Sequence, residues 1–139
     1  MKTLLAVALA ALIAAGCAGS PKRSQGDRIL AQYEGYIGEP IRDFTAFRQQ
    51  SWQPVSRTQL ILWTDFSHAY LLTITGNCPD LMFSDGVRVT STGSQISTFD
   101  AVMVRGDRCP IKQIQPIDIR QYRADREELA RNKEPARAD

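Results

Sequence analysis

The chain has 139 residues, a length that fits one domain built on a single hydrophobic core. Hydrophobic residues make up 43% and charged residues 23%, which excludes an intrinsically disordered or polar-tract protein. The formal charge is +2, the basic residues alternate with acidic ones, and no run of lysine or arginine occurs, so nucleic acid is excluded as a partner.

Met1-Lys2 supplies a short positive start, and Leu4 to Ala15 is an unbroken apolar run. As a helix this run of 12 residues spans only about 18 Å. A hydrocarbon core of about 30 Å needs about 20 residues, so the run reads as the apolar region of an export signal. Ala14-Ala15-Gly16-Cys17 follows. It resembles the lipobox of bacterial lipoproteins, although Ala14 stands where leucine is commonest. The resemblance implies removal of residues 1–16, which takes Lys2 with it and leaves the mature chain at +1. It also implies acylation of Cys17 and attachment to a lipid bilayer. Two or three acyl chains hold a protein stably where one does not. In the enterobacterial sorting rule an aspartate after the cysteine retains a lipoprotein in the inner membrane. Ala18 in that position points to the outer membrane, facing the periplasm.

Residues 17–27 read as the lipidated cysteine and a flexible polar tether, with Gly19, Ser20, Pro21, Ser24 and Gly26. A β-rich domain is expected over residues 28–120, with a charged tail at 121–139. Ile29, Leu30, Tyr33, Tyr36 and Ile37 fall on one helical face after a candidate cap at Asp27, and Gly38-Glu39-Pro40 would end that helix. Ile41, Phe44, Phe47, Trp52 and Val55 are scattered among polar residues and suit a turn-rich segment packing on a sheet. Their aromatic density points to core packing first and to a binding surface second.

Leu60-Ile61-Leu62-Trp63 is continuous and apolar, as in a strand covered on both faces or curled inside a barrel. Asp65-Phe66-Ser67-His68 makes a turn, and Ala69 to Thr75 returns. Val87-Arg88-Val89-Thr90 alternates with period two, and Ile96 to Phe99 and Ala101 to Val104 are further strands. Gly106-Asp107-Arg108 reads as a hairpin tip. Ile111, Ile114 and Ile117 recur every third residue, which breaks strand alternation and predicts a bulge or a kink at Pro116. From Arg120 onward the chain reads as a solvated helix with i, i+4 charge spacing at Arg123, Glu127 and Arg131.

Once Cys17 is assigned to the lipobox, Cys78 and Cys109 remain. In an exported chain their expected state is a disulfide. Each precedes a proline, which favours extended backbone at the cysteine. Closing a loop of this length is worth about 3–4 kcal/mol on the chain-entropy argument. The rival reading, a redox or metal site, lacks a Cys-x-x-Cys pair, and His68 is the only histidine.

Little else in the sequence carries chemistry. Asp65, Ser67 and His68 have the residue types of a hydrolase triad, but neighbours in one turn do not line up as nucleophile, base and orienter. Asp65 and His68 remain the candidate ligand contacts. Met82 and Met103 read as core or interface residues rather than copper ligands. Asp100 is either a hydrogen-bonded strand-end residue or a turn residue. No catalytic residue, metal or cofactor is assigned.

Ser51-Trp52, Leu62-Trp63, Ala69-Tyr70-Leu71-Leu72, Cys78-Pro79-Asp80-Leu81, Phe99-Asp100 and Cys109-Pro110-Ile111 together resemble the domain-of-unknown-function family 6491. Its members are small proteobacterial proteins, many with a signal peptide. The resemblance runs over roughly residues 28 to 120 and implies no activity. The expectation is a mainly β fold: a small open barrel or curled antiparallel sheet of five to six strands, a short N-terminal helix and one disulfide. The expected role is a lipid-anchored, non-catalytic envelope module that binds an envelope protein or polymer. The alternative is a small ligand carrier or enzyme with a pocket near Asp65 and His68.

Overall fold

Leu60, Ile61 and Leu62 are all fully buried, because the strand that carries them is covered on both sides. The computed structural model describes residues 22–49 and 51–133. The stretch read as an export signal, Cys17 and the last residues of the charged tail lie outside the described residues. Among the described residues no helix is long and apolar enough to cross a membrane.

The elements in order are α1 (Gln25–Gln32), β1 (Asp43–Thr45), β2 (Ser51–Ser56), β3 (Gln59–Trp63) and β4 (His68–Ile74). A short 3-10 helix (Pro79–Met82) follows, then β5 (Val87–Val89), β6 (Gln95–Ser97), β7 (Ala101–Val104), β8 (Asp107–Asp118) and α2 (Ile119–Lys133). Six strands form one curled antiparallel sheet in the order β2-β3-β4-β8-β7-β5. β1 and β6 form a separate two-stranded ribbon, so Ile96 belongs to that ribbon and not to the main sheet.

One face of the sheet packs Leu60, Leu62, Leu72, Ile74, Ile111 and Ile114 against Phe44 and Ile96 of the ribbon. The other face packs Ile61, Leu71 and Ile117 against Ile29 of α1, Tyr33 just after it, and Ile119 at the start of α2. Each fully buried aliphatic side chain contributes about 1.5–3 kcal/mol on leaving water. Tyr33 also meets Trp63 and Tyr122, with ring centroids 6.4 and 4.9 Å away, and Tyr36 donates a 2.6 Å hydrogen bond to Asp125. These contacts hold both helices on the same side of the sheet.

The three-residue isoleucine spacing has two causes. Ile74 pairs with Ile111 while Thr73 pairs with Gln113, so Lys112 is the extra residue of a bulge. The bulge therefore sits at Lys112 and not at Pro116, and it keeps Ile111 and Ile114 on one face. Between Ile114 and Ile117 the strand alternates normally, and the step of three carries Ile117 to the opposite, equally apolar face. Pro116 fits because an irregular segment, not a regular strand, runs along this edge of β8. Gly38 N–H donates to the Pro116 carbonyl at 2.8 Å, and Asp118 N–H donates to the Tyr36 carbonyl at 2.8 Å. The Gln115 side-chain amide, 3.2 Å from the Gly38 carbonyl, supplies a donor that the proline lacks.

Two further boundaries differ from the sequence reading. The cap of α1 is Ser24, whose side chain accepts from Asp27 N–H while the Asp27 carboxylate accepts from Ser24 N–H. Asp27 is thus the third residue of the capping box, and α1 takes up Gln25–Asp27 from the stretch read as tether. The helix ends at Gln32, short of Gly38, because the chain turns through Gly35 at φ +87°. The β7–β8 hairpin turns at Arg105 and Gly106, both at positive φ, one residue earlier than the sequence suggests.

Cys78 and Cys109 are disulfide-bonded, with Cα atoms 6.0 Å apart and a sequence separation of 31. The bond fastens the start of the 3-10 helix to β8 within the core. That helix packs against β2, and the Gln49 side chain donates to the Val87 carbonyl at 2.9 Å. Contacts of this kind link the β2 and β5 ends of the sheet.

Candidate functional site

The turn between β3 and β4 is organised by one carboxylate. Asp65 Oδ1 accepts the backbone N–H of Ser67 at 2.7 Å and of His68 at 2.9 Å, the pattern by which an aspartate shapes a turn. His68 Nδ1 lies 2.7 Å from Oδ2 and 2.9 Å from Oδ1. An ionised carboxylate only accepts, so Nδ1 carries the proton and Nε2 is the atom left for another partner. The Ser67 N–H, reinforced by His68, holds the Asp65 carboxyl below its ordinary range against a smaller opposing effect of lost water. Both side chains remain about half exposed.

β4 carries Tyr70 two residues after His68. Burial, and then the nearby Asp65 charge, push its hydroxyl up. Its ring is stacked on Phe44 of β1, with centroids 3.8 Å apart and planes 16° apart. This contact brings the end of β1 opposite the turn. Between them lies a cleft of about 480 Å³, lined on one side by Thr45, Phe47 and Arg48 and on the other by Thr64, Asp65, His68 and Tyr70. Phe47 is 91% exposed, and Arg48 has no carboxylate partner among the described residues.

The structure thus places Asp65 and His68 in a cleft and in contact with each other, away from Cys78 and Cys109, which are core residues. His68 opens β4 and is not a turn residue. Sequence reasoning missed Phe47, Arg48 and Tyr70 as cleft residues. Phe47 and Arg48 precede Asp65 by 18 and 17 positions, and only the packing of Phe44 on Tyr70 brings them near it. The aromatic density around Phe44 and Phe47 was the one available signal.

Asp100 combines both roles open to it. It precedes β7 and accepts from Thr90 Oγ1 at 3.0 Å, Ser97 N–H at 2.8 Å and Ser97 Oγ at 3.0 Å. Thr90 Oγ1 in turn accepts Ala101 N–H at 2.9 Å. With its acceptors engaged this way, Asp100 clasps β6 to the β5–β7 pair. Met82 and Met103 are half-buried. Among the described residues no three His, Cys, Asp or Glu side chains gather closely enough to hold a metal ion.

The model of a family of unknown function (DUF6491) matches residues 1–133. No curated protein and no solved structure matches the chain.

Proposed function

We propose, for a chain that belongs to this family of unknown function and takes no activity from it, a role as a lipid-anchored binding module of the bacterial cell envelope. Cys17 is the acylated residue in this reading. The bilayer is its first partner, and the outer membrane facing the periplasm is its location. Gly16-Cys17 directly after the Leu4 to Ala15 run supports the anchor. The Cys78–Cys109 bond supports an oxidising compartment.

The observation that carries the binding role is the placement of phenylalanine. Of five, only Phe44 is buried, while Phe47, Phe66, Phe83 and Phe99 are exposed by 91%, 76%, 68% and 87%. Exposed aromatic side chains are what contact surfaces use, because a large apolar area is covered at small entropic cost. Phe47 lines the cleft, and Phe66 lies in the turn that forms its opposite wall.

The alternative, a ligand carrier or enzyme using Asp65 and His68, draws support from the carboxylate-oriented imidazole. Against it, His68 Nε2 has no hydroxyl or thiol partner among the described residues, so no nucleophile is set up for it to activate.

The experiment is fractionation of cells making wild-type or Cys17→Ser protein, with photo-crosslinking residues at positions 47, 66, 83 and 99. Membrane partitioning lost in Cys17→Ser and envelope components captured at position 47 are expected. Unchanged partitioning with an unacylated mature terminus removes the anchor, and no capture at any of the four positions removes the binding role.

A further inference from the structure

We propose that the cleft between the end of β1 and the β3–β4 turn binds a neutral sugar ring of an oligosaccharide, laid on Phe47 and hydrogen-bonded by Arg48, Asp65, His68 and Tyr70. The assignment rests on the reading of the protein as a binding module and names the chemistry of its ligand.

The volume of about 480 Å³ suits a small ligand or a short stretch of polymer. The wall chemistry narrows the class. Arg48 brings a permanent positive charge to one side, and Asp65 brings a negative charge to the other. An anion attracted to Arg48 meets the Asp65 carboxylate, and a cation attracted to Asp65 meets the guanidinium. A purely apolar molecule would strip water from both charges without replacing it. A neutral polyhydroxyl ring avoids all three costs. Its hydroxyls accept from the guanidinium and donate to the carboxylate, where charge-assisted hydrogen bonds are the strong kind.

The remaining groups fit the same ligand. Asp65 Oδ1 is taken by two backbone N–H groups and by His68, whereas Oδ2 contacts His68 alone and keeps acceptor capacity. With Nδ1 bound to Asp65, His68 leaves Nε2 to hydrogen-bond a ligand hydroxyl. The Tyr70 hydroxyl has no hydrogen-bond partner among the described residues, and its ring is fixed by Phe44. Phe47 lies open to water at the cleft, where an aromatic face attracts the slightly positive C–H face of a pyranose. Asp65, His68 and Tyr70 are held before any ligand arrives, which lowers the ordering cost of binding.

The test is an amide NMR titration of the mature protein with maltotriose and with N-acetylated chitotriose, both neutral, and separately with acetate and with choline as charged probes. Saturable shifts at residues 45–48 and 64–70 with a trisaccharide are expected, with smaller or no shifts from the ions. Phe47→Ala and Tyr70→Phe should each weaken sugar binding by about 3- to 10-fold, the size of one aromatic or hydrogen-bonded contact. Leu129→Ala, at an exposed position of α2, should leave binding unchanged, and the three variants should melt near the wild type. Absence of saturable binding by both sugars, sugar binding indifferent to Phe47→Ala, or saturation of the same amides by acetate or choline instead would overturn the assignment. Those results leave the binding-module reading in place, which falls separately when crosslinkers at the exposed phenylalanines capture nothing.

Discussion

Phe44 lies flat on Tyr70, with ring centroids 3.8 Å apart and an interplanar angle of 16°. The two residues belong to different sheets, since β1 pairs only with β6 while β4 is central to the six-stranded sheet. Their contact fixes the ribbon over one face of the sheet and sets the separation of the two cleft walls.

Phe44→Ala should cost about 3–5 kcal/mol, the usual penalty for deleting a buried phenylalanine. Tyr70→Phe keeps the stacked ring and should change stability by less than about 1 kcal/mol, because its hydroxyl has no partner to lose among the described residues. Urea denaturation of both variants measures the contrast, and equal losses would mean that the stack is not what secures the ribbon.

The disulfide should resist alkylation until a reductant is added. Cys78→Ala and Cys109→Ala should each destabilise the fold by about 2–5 kcal/mol, and the double variant by about the same amount, because all three remove one bond. Thiols that alkylate in the native protein, with melting unchanged in the variants, would point to a redox or metal role instead.

Gly26 is buried where α1 crosses β2, and a Cβ there would collide with the Val55 carbonyl oxygen. Backbone cannot rotate away as a side chain can. Gly26→Ala should therefore push α1 off the sheet and cost about 1–3 kcal/mol or more, the range for overpacking. Gly86→Ala meets nothing within 4 Å and serves as the control in the same melting experiment.

Asp65 should make stability depend on pH in a defined direction. Its carboxyl is depressed in the folded state, chiefly by the Ser67 N–H, so it binds a proton less readily than in the unfolded chain. The stabilisation is fully present above the unfolded value of about 3.9 and is lost as pH falls below that through the folded value. Asp27, depressed by its Ser24 hydrogen bond, acts in the same sense. Melting temperatures at pH 6 and pH 3 should show Asp65→Asn declining less on acidification than the wild type. His68→Ala, at a half-exposed position, should melt close to the wild type at pH 6.

Hydrophobic periodicity and turn residues are local, and what they report was legible. Leu60-Ile61-Leu62 announces a strand covered on both faces, because all three side chains are apolar and adjacent ones must point oppositely. Asp65 marks its turn because its carboxylate reaches its own backbone two and three residues on. Cys78 and Cys109 were paired by counting. The isoleucines of β8 show where such reading stops. A bulge at Lys112 and a change of face between Ile114 and Ile117 leave the same spacing of three, and only the register against β4 and the two separate cores distinguish them. The cleft is decided at that level too. Arg48 and Asp65 share no strand, helix or turn, and they line one cleft because Asp43 pairs with Ser97 and Phe44 stacks on Tyr70. Neighbouring residue types report which faces of a strand are apolar, but residue type alone places Phe47 with the core, and the structure leaves it 91% exposed. Which distant residue lies across from a given one depends on how whole faces pack, and no window of sequence contains that.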